Sequence, residues 1–131
     1  MKVNLKNYQI VSAMESIQEL MRERLSTKVS WNLTKNLRKL SESMSDITDV
    51  EQKLVLQYGV KDENGSVISE DGRFQLKEDC AEEFTKQRVE LFNCENEIDI
   101  HMIKLSDLSR VEVSGDVLLA LEFMIEDDLE D

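Results

Sequence analysis

Large apolar residues alternate at four and three positions along one stretch of this chain: Leu33, Leu37, Leu40, Met44 and Ile47, then, after Glu51, Leu54 and Tyr58. Only an α-helix brings positions with that spacing onto one face, so this pattern constrains the fold more than any other feature. A similar stripe precedes it. Ile10, Met14, Ile17 and Met21, widened by Ala13 and Leu20, give a helix between Asn7 and Leu25. The polar "STK" at 26–28 separates the two, and Ser26 or Thr27 is placed to cap the second helix by accepting a backbone N–H. Two stripes with so short a link predict an antiparallel helical hairpin, its second arm the longer. Ser41, Ser43, Ser45, Asp46 and Thr48 weaken the middle of that arm, leaving open a break near Ser45, and Gly59 is the expected stop.

Beyond Gly59 the pattern changes. In "KDENGSVISEDGRF", residues 61–74, Asn64-Gly65 and Asp71-Gly72 suit tight turns, with Val67, Ile68, Phe74 and Leu76 supplying two short strands. A third helix is predicted over 77–93, with Ala81, Phe84, Val89, Leu91 and Phe92 on an apolar side and Asp79, Glu82 and Glu83 in or before the first turn. "EIDIHMIKL" alternates with period two, placing Ile98, Ile100 and Met102 on one side of a strand and Asp99, His101 and Ile103 on the other. "RVEV" at 110–113 reads as a partner strand or an extended link. Ser114 is the expected cap of a last helix packing through Val117, Leu118, Leu121, Met124 and Ile125. The expected class is α+β and helix-dominated: helical hairpin, small β-hairpin, third helix, one or two strands, C-terminal helix. One globular domain is expected over 1–125, with 126–131 a disordered acidic tail.

Charge divides the chain. Residues 1–58 carry 9 basic and 7 acidic side chains, residues 59–131 carry 7 basic and 21 acidic, and the total is −12. Binding of free nucleic acid is not expected, because it rests on neutralising phosphates with Lys and Arg. An acidic face favours basic protein partners or simple solubility. No signal-like segment or membrane-length apolar run occurs, so a cytosolic protein off the membrane is expected. Cys80 and Cys94 are too few for a disulfide framework and are read as reduced thiols.

Catalytic signatures are weak. His101 is the single histidine, and neither cysteine lies at a chelating distance in sequence. With Gly65 as sixth residue of a calcium loop, Asp62, Asn64 and Ser66 fall at ligand positions, but the first is Val60 and the last is Asp71 instead of a longer Glu. Neither phosphate-cradling glycine motif is present. A non-enzyme is expected, with no metal or cofactor. One cationic cluster stands out: Lys35, Arg38 and Lys39, with Lys28, beside Trp31, either a small docking patch or lysine stems covering a half-buried ring. Asp127, Asp128, Glu130 and Asp131 near the C-terminus are the acidic counterpart, able to meet that patch or a partner's basic one.

The segments "MKVNLKNYQIVSAMESIQELMRERLSTKVSWNLTKNLRKL", "LVLQYGVKDENGSVISEDGRFQL", "NEIDIHMIKLSDL" and "LLALEFMIED" resemble an uncharacterised family of small proteins encoded by phages and prophages of Gram-positive bacteria. The resemblance runs nearly end to end and carries no catalytic residues. It implies a phage setting and residence in the bacterial host cytoplasm. Two functions follow as expectations. The first is a non-catalytic protein that binds a host or defence protein, in one version as an acidic inhibitor. The alternative is a virion or tail accessory component or an assembly chaperone, with homo-oligomerisation left open.

Overall fold

The computed structural model describes residues 1–70 and 73–129. The class is α+β with helix dominant. The order is β1 (Lys2–Lys6), α1 (Asn7–Leu20), α2 (Thr27–Tyr58), β2 (Ser69–Glu70), β3 (Arg73–Phe74), α3 (Ala81–Asn93), β4 (Glu95–Asp99), β5 (Ile103–Lys104), a 3-10 turn (Leu105–Leu108), α4 (Gly115–Ala120), a second 3-10 turn (Glu122–Met124) and β6 (Ile125–Glu126). Where one domain over 1–125 is expected, contacts group the chain into two compact units, Met1–Met44 with Glu95–Asp131, and Ser45–Cys94.

In the first unit, α1 follows β1 directly. The Gln9 side chain reaches back to accept the Lys6 N–H at 2.9 Å, and buried Asn7 accepts from Asn96 Nδ2. The apolar stripe faces inward as its spacing requires: Ile10, Ala13 and Ile17 are fully buried and Leu20 nearly so. Ser26 Oγ accepts the Val29 N–H at 3.2 Å and caps α2. Within this unit α2 buries Val29, Leu33, Asn36 and Leu40. The helix is continuous through its serine-rich middle. Ser41 Oγ donates to the Leu37 carbonyl at 2.8 Å, satisfying its hydroxyl inside the helix without breaking it.

β1 was not expected from the sequence. It pairs antiparallel with β4, Leu5 opposite Asn96 and Val3 opposite Ile98. The strand predicted across "EIDIHMIKL" ends early, at Asp99. Asn36, buried in α2, donates from Nδ2 to the His101 carbonyl at 2.9 Å and accepts the His101 N–H at 2.8 Å. Asn32 Nδ2 holds the Met102 carbonyl at 3.3 Å. These bonds occupy backbone groups that a continuing ladder would use, and the alternation resets. Ile103, predicted to share a side with Asp99, is therefore buried. β5 then pairs in parallel with β6, Ile103 opposite Ile125. "RVEV" forms no strand: Arg110 lies in a turn, Val111 bends and its N–H bonds the Leu108 carbonyl at 3.0 Å, and Glu112 and Val113 are irregular. Ser114 Oγ accepts the Val117 N–H at 3.3 Å and caps α4 as expected, whose packing face buries Val117 with Leu121 and Met124 beyond it.

In the second unit, α2 ends at Tyr58. Gly59 does not stop it through a left-handed conformation; among the described glycines only Gly65 has a positive φ, +80°. A Cβ at Gly59 would stand 2.6 Å from the Val55 carbonyl oxygen and 2.8 Å from Val67 Cγ1, so glycine is needed there for close approach. The 61–67 turn forms as predicted. Asp62 Oδ1 accepts the N–H groups of Asn64 and Ser66 at 2.9 and 3.0 Å. The Asp71-Gly72 turn lies outside the described residues. The third helix starts at Ala81, later than Lys77, because residues 78–80 form a turn and the Lys77 N–H bonds the Tyr58 carbonyl at 2.9 Å. Its apolar side is narrower than expected. Phe84 is buried and packs edge-on to Tyr58 and Phe74, with centroids 6.1 and 5.4 Å away, whereas Val89, about 140° round the helix from Phe84, is 54% exposed.

Candidate functional site

Trp31 is 52% exposed on α2, and Lys35 Nζ sits 4.9 Å from the ring centroid, a cation–π contact. Arg38 is exposed. Lys39 turns toward β4, donating to the Asp99 carbonyl at 2.8 Å and lying 4.0 Å from its carboxylate. Hydrogen bonding from the N-terminal ammonium, then that group's charge and Lys39's, holds the Asp99 carboxyl below its ordinary range. The cationic cluster thus has one member engaged at the strand and the others on the open helix face.

Residues 126–129 are held by specific bonds. Glu126 is in β6, Asp127 Oδ1 accepts the Leu129 N–H at 3.2 Å, and Asp128 accepts both the hydroxyl and the N–H of Ser106. Those two Ser106 bonds, the hydroxyl's the stronger, hold the Asp128 carboxyl below its ordinary value. Among the described residues no ion pair joins Asp127 or Asp128 to Lys35, Arg38 or Lys39. Glu130 and Asp131 lie outside the described residues.

The backbone of His101 is fixed by Asn36. Burial, then the Asp79 carboxylate beside it, pushes the Cys80 thiol up and away from the reactive thiolate. The exposed Cys94 directs its thiol to the Glu90 carbonyl at 3.3 Å. Asp62, a would-be calcium ligand, ties its own turn through one oxygen. Among the described residues no group of three or more His, Cys, Asp or Glu is placed to hold a metal ion, and no helix is long and apolar enough to cross a membrane.

A different surface has the shape of a site. The start of α1 and the α4 region form a groove of about 530 Å³, lined by Tyr8, Gln9 and Ser12 on one wall and by Asp116, Leu119, Ala120, Glu122 and Phe123 on the other. Tyr8 is 51% and Leu119 72% exposed, while Phe123 is half-buried. A narrow cleft elsewhere between α1 and the α4 region brings Glu19, Glu23 and Glu112 around Leu20 and Val117. None of these five carboxylates forms an ion pair among the described residues, and no Lys or Arg lines either hollow. In the second unit a hollow of about 410 Å³ is lined by Gln52, Val55, Leu56, Gly65, Ser66 and Val67, none of them ionisable.

Sequence reasoning missed the α1–α4 groove. Tyr8 and Leu119 lie off the periodic stripes and meet only through tertiary contact between opposite ends of the chain. The available signal was negative: a large apolar residue on the polar side of each amphipathic helix. Comparisons with family models, with curated proteins and with solved structures give no match to this chain.

Proposed function

We propose that this chain is a non-catalytic protein-binding domain which, in a phage-infected bacterium, covers a basic surface on a host or defence protein. One observation carries the reading: few of the carboxylates of the second half have an ion-pair partner among the described residues. Residues 59–131 hold 21 acidic side chains, yet among the described residues only Glu97 and Asp99 of that half enter ion pairs. Such a field speeds encounter with cationic surfaces and rejects anionic ones. The phage setting rests on the resemblance of the four segments quoted above.

The test is expression of the tagged chain in a Gram-positive host, capture at about 0.15 M salt, and elution along a salt gradient, where screening weakens exposed charge contacts. A discrete basic partner released by salt supports the reading. Loss of all partners at that ionic strength overturns it. Stoichiometric presence of the chain in purified virions would also overturn it, in favour of a tail accessory or assembly role.

A further inference from the structure

The geometry points to the α1–α4 groove as the docking site for a partner segment that carries a large apolar side chain flanked by lysine or arginine. This inference rests on the protein-binding reading above and names its surface and its partner chemistry. Isolated exposed apolar residues are ordinary on soluble proteins. Tyr8 and Leu119 differ because they line the same hollow, with Phe123 half-buried alongside. At about 530 Å³ the hollow falls within the size range of clefts that hold ligands.

Charge selects the occupant. Asp116 and Glu122 line the groove itself, and Glu19 and Glu23, at and just past the other end of α1, line the second cleft, with no cation of the chain paired to any of them among the described residues. A nucleic acid or acidic peptide would meet repulsion there. A cationic segment meets attraction on its flanks and an apolar seat between them, the arrangement that combines fast encounter with slow release. A second copy of this chain would offer Trp31 with Lys35, but it brings a further −12 charge with it and is the less favoured occupant.

The probe is a short amphipathic peptide of Lys and Leu with one Trp, titrated into the isotopically labelled full chain. Two further peptides replace Leu and Trp by Ser, or Lys by Glu. The Lys/Leu peptide should shift the amide signals of Tyr8, Ser12, Leu119 and Phe123. Its affinity should fall by at least about tenfold in Leu119→Ser, a substitution at a side chain so exposed that the fold loses little. Tyr8→Ser provides a second, independent variant, and Glu122→Gln with Asp116→Asn should remove much of the salt dependence. The Lys/Ser peptide should bind weakly and ignore Leu119→Ser.

Shifts centred on Trp31 or on residues 52–67, or full affinity in Leu119→Ser, would overturn the groove while leaving the protein-binding reading intact. Sedimentation that shows self-association abolished by Leu119→Ser would overturn it in favour of a second copy. If no cationic peptide binds even at low salt, the groove and the reading beneath it both fall.

Discussion

Asn36 illustrates how one polar residue redirects a strand. Its carboxamide satisfies both backbone groups of His101 from a position with no solvent exposure. Asn36→Ala leaves a donor and an acceptor without those partners, and a buried unmet group costs about 1–3 kcal/mol. A loss of about 3 kcal/mol is expected in urea denaturation. Asn36→Leu restores the volume without the hydrogen bonds and should stay within about 1 kcal/mol of the alanine variant; recovery of wild-type stability would show that packing, not the amide, is what matters. The sequence hid this residue in plain view. A four–three stripe runs equally well through Leu33, Asn36 and Leu40 or through Leu33, Leu37 and Leu40, and apolarity favours the second. In the fold Asn36 is buried and Leu37 only half-buried, and the Asn36 carboxamide bonds both backbone groups of His101 in the break between β4 and β5. The glycines separate two mechanisms on the same scale. Gly59→Ala forces backbone and Val67 apart and should cost on the order of 1–3 kcal/mol. Gly65→Ala meets no atom and should cost about 1 kcal/mol through its left-handed φ alone, with Gly65→Asn milder because asparagine tolerates that region. Gly115→Ala has open space at the first turn of α4 and should be neutral or slightly stabilising. Urea midpoints should rise from Gly59→Ala through Gly65→Ala to Gly115→Ala.

Elements with long periodicity were legible, and those defined by distant partners were not. α1 and α2 follow from apolar spacing, and Ser26 and Ser114 cap their helices as local chemistry requires. β1 offers only Val3 and Leu5 as alternating apolar positions, too short a pattern to outweigh the neighbouring helix, and its partner β4, Glu95–Asp99, is remote in sequence. The C-terminal segment was judged by composition, since a run of acids reads as solvated chain. What composition cannot register is that Asp128 reaches Ser106 through two hydrogen bonds beside the β5–β6 pair. That clamp has a definite pH dependence. The carboxyl is held below its unfolded value, so the folded state binds fewer protons than the unfolded one as the group titrates. Its stabilising contribution is complete above the ordinary aspartate value of about 3.9 and disappears as pH falls through the lower folded value. Asp128→Asn should therefore be less stable than wild type at neutral pH, and the gap should narrow progressively as the pH is lowered below the ordinary aspartate range, as read by urea denaturation along an acid series. A gap that persists in acid would mean that shape, not charge, holds this segment.

At the scale of the whole molecule, the charge balance was readable at once, and the surface that uses it was not. Tyr8, Asp116, Leu119 and Glu122 belong to no motif and come together only when α1 packs along α4. The two ingredients of the proposed docking site make different kinetic predictions. A net charge of −12 acts at a distance, so it governs how quickly a cationic segment arrives. Tyr8 and Leu119 act only in contact, so they govern how long it stays. With the Lys/Leu peptide in stopped-flow measurements, raising salt from about 0.05 to 0.5 M shortens the screening length from roughly 14 Å to roughly 4 Å. The association rate constant should then drop by about tenfold or more, with dissociation changed far less. Leu119→Ser leaves the charge untouched and should do the converse: association nearly unaltered, dissociation faster by about tenfold. If salt acted mainly on dissociation, the carboxylates would be forming close ion pairs with the peptide and not a steering field. If Leu119→Ser slowed arrival instead of hastening departure, the apolar wall would be shaping the encounter and not the bound state, and the division of labour drawn from this groove would fail.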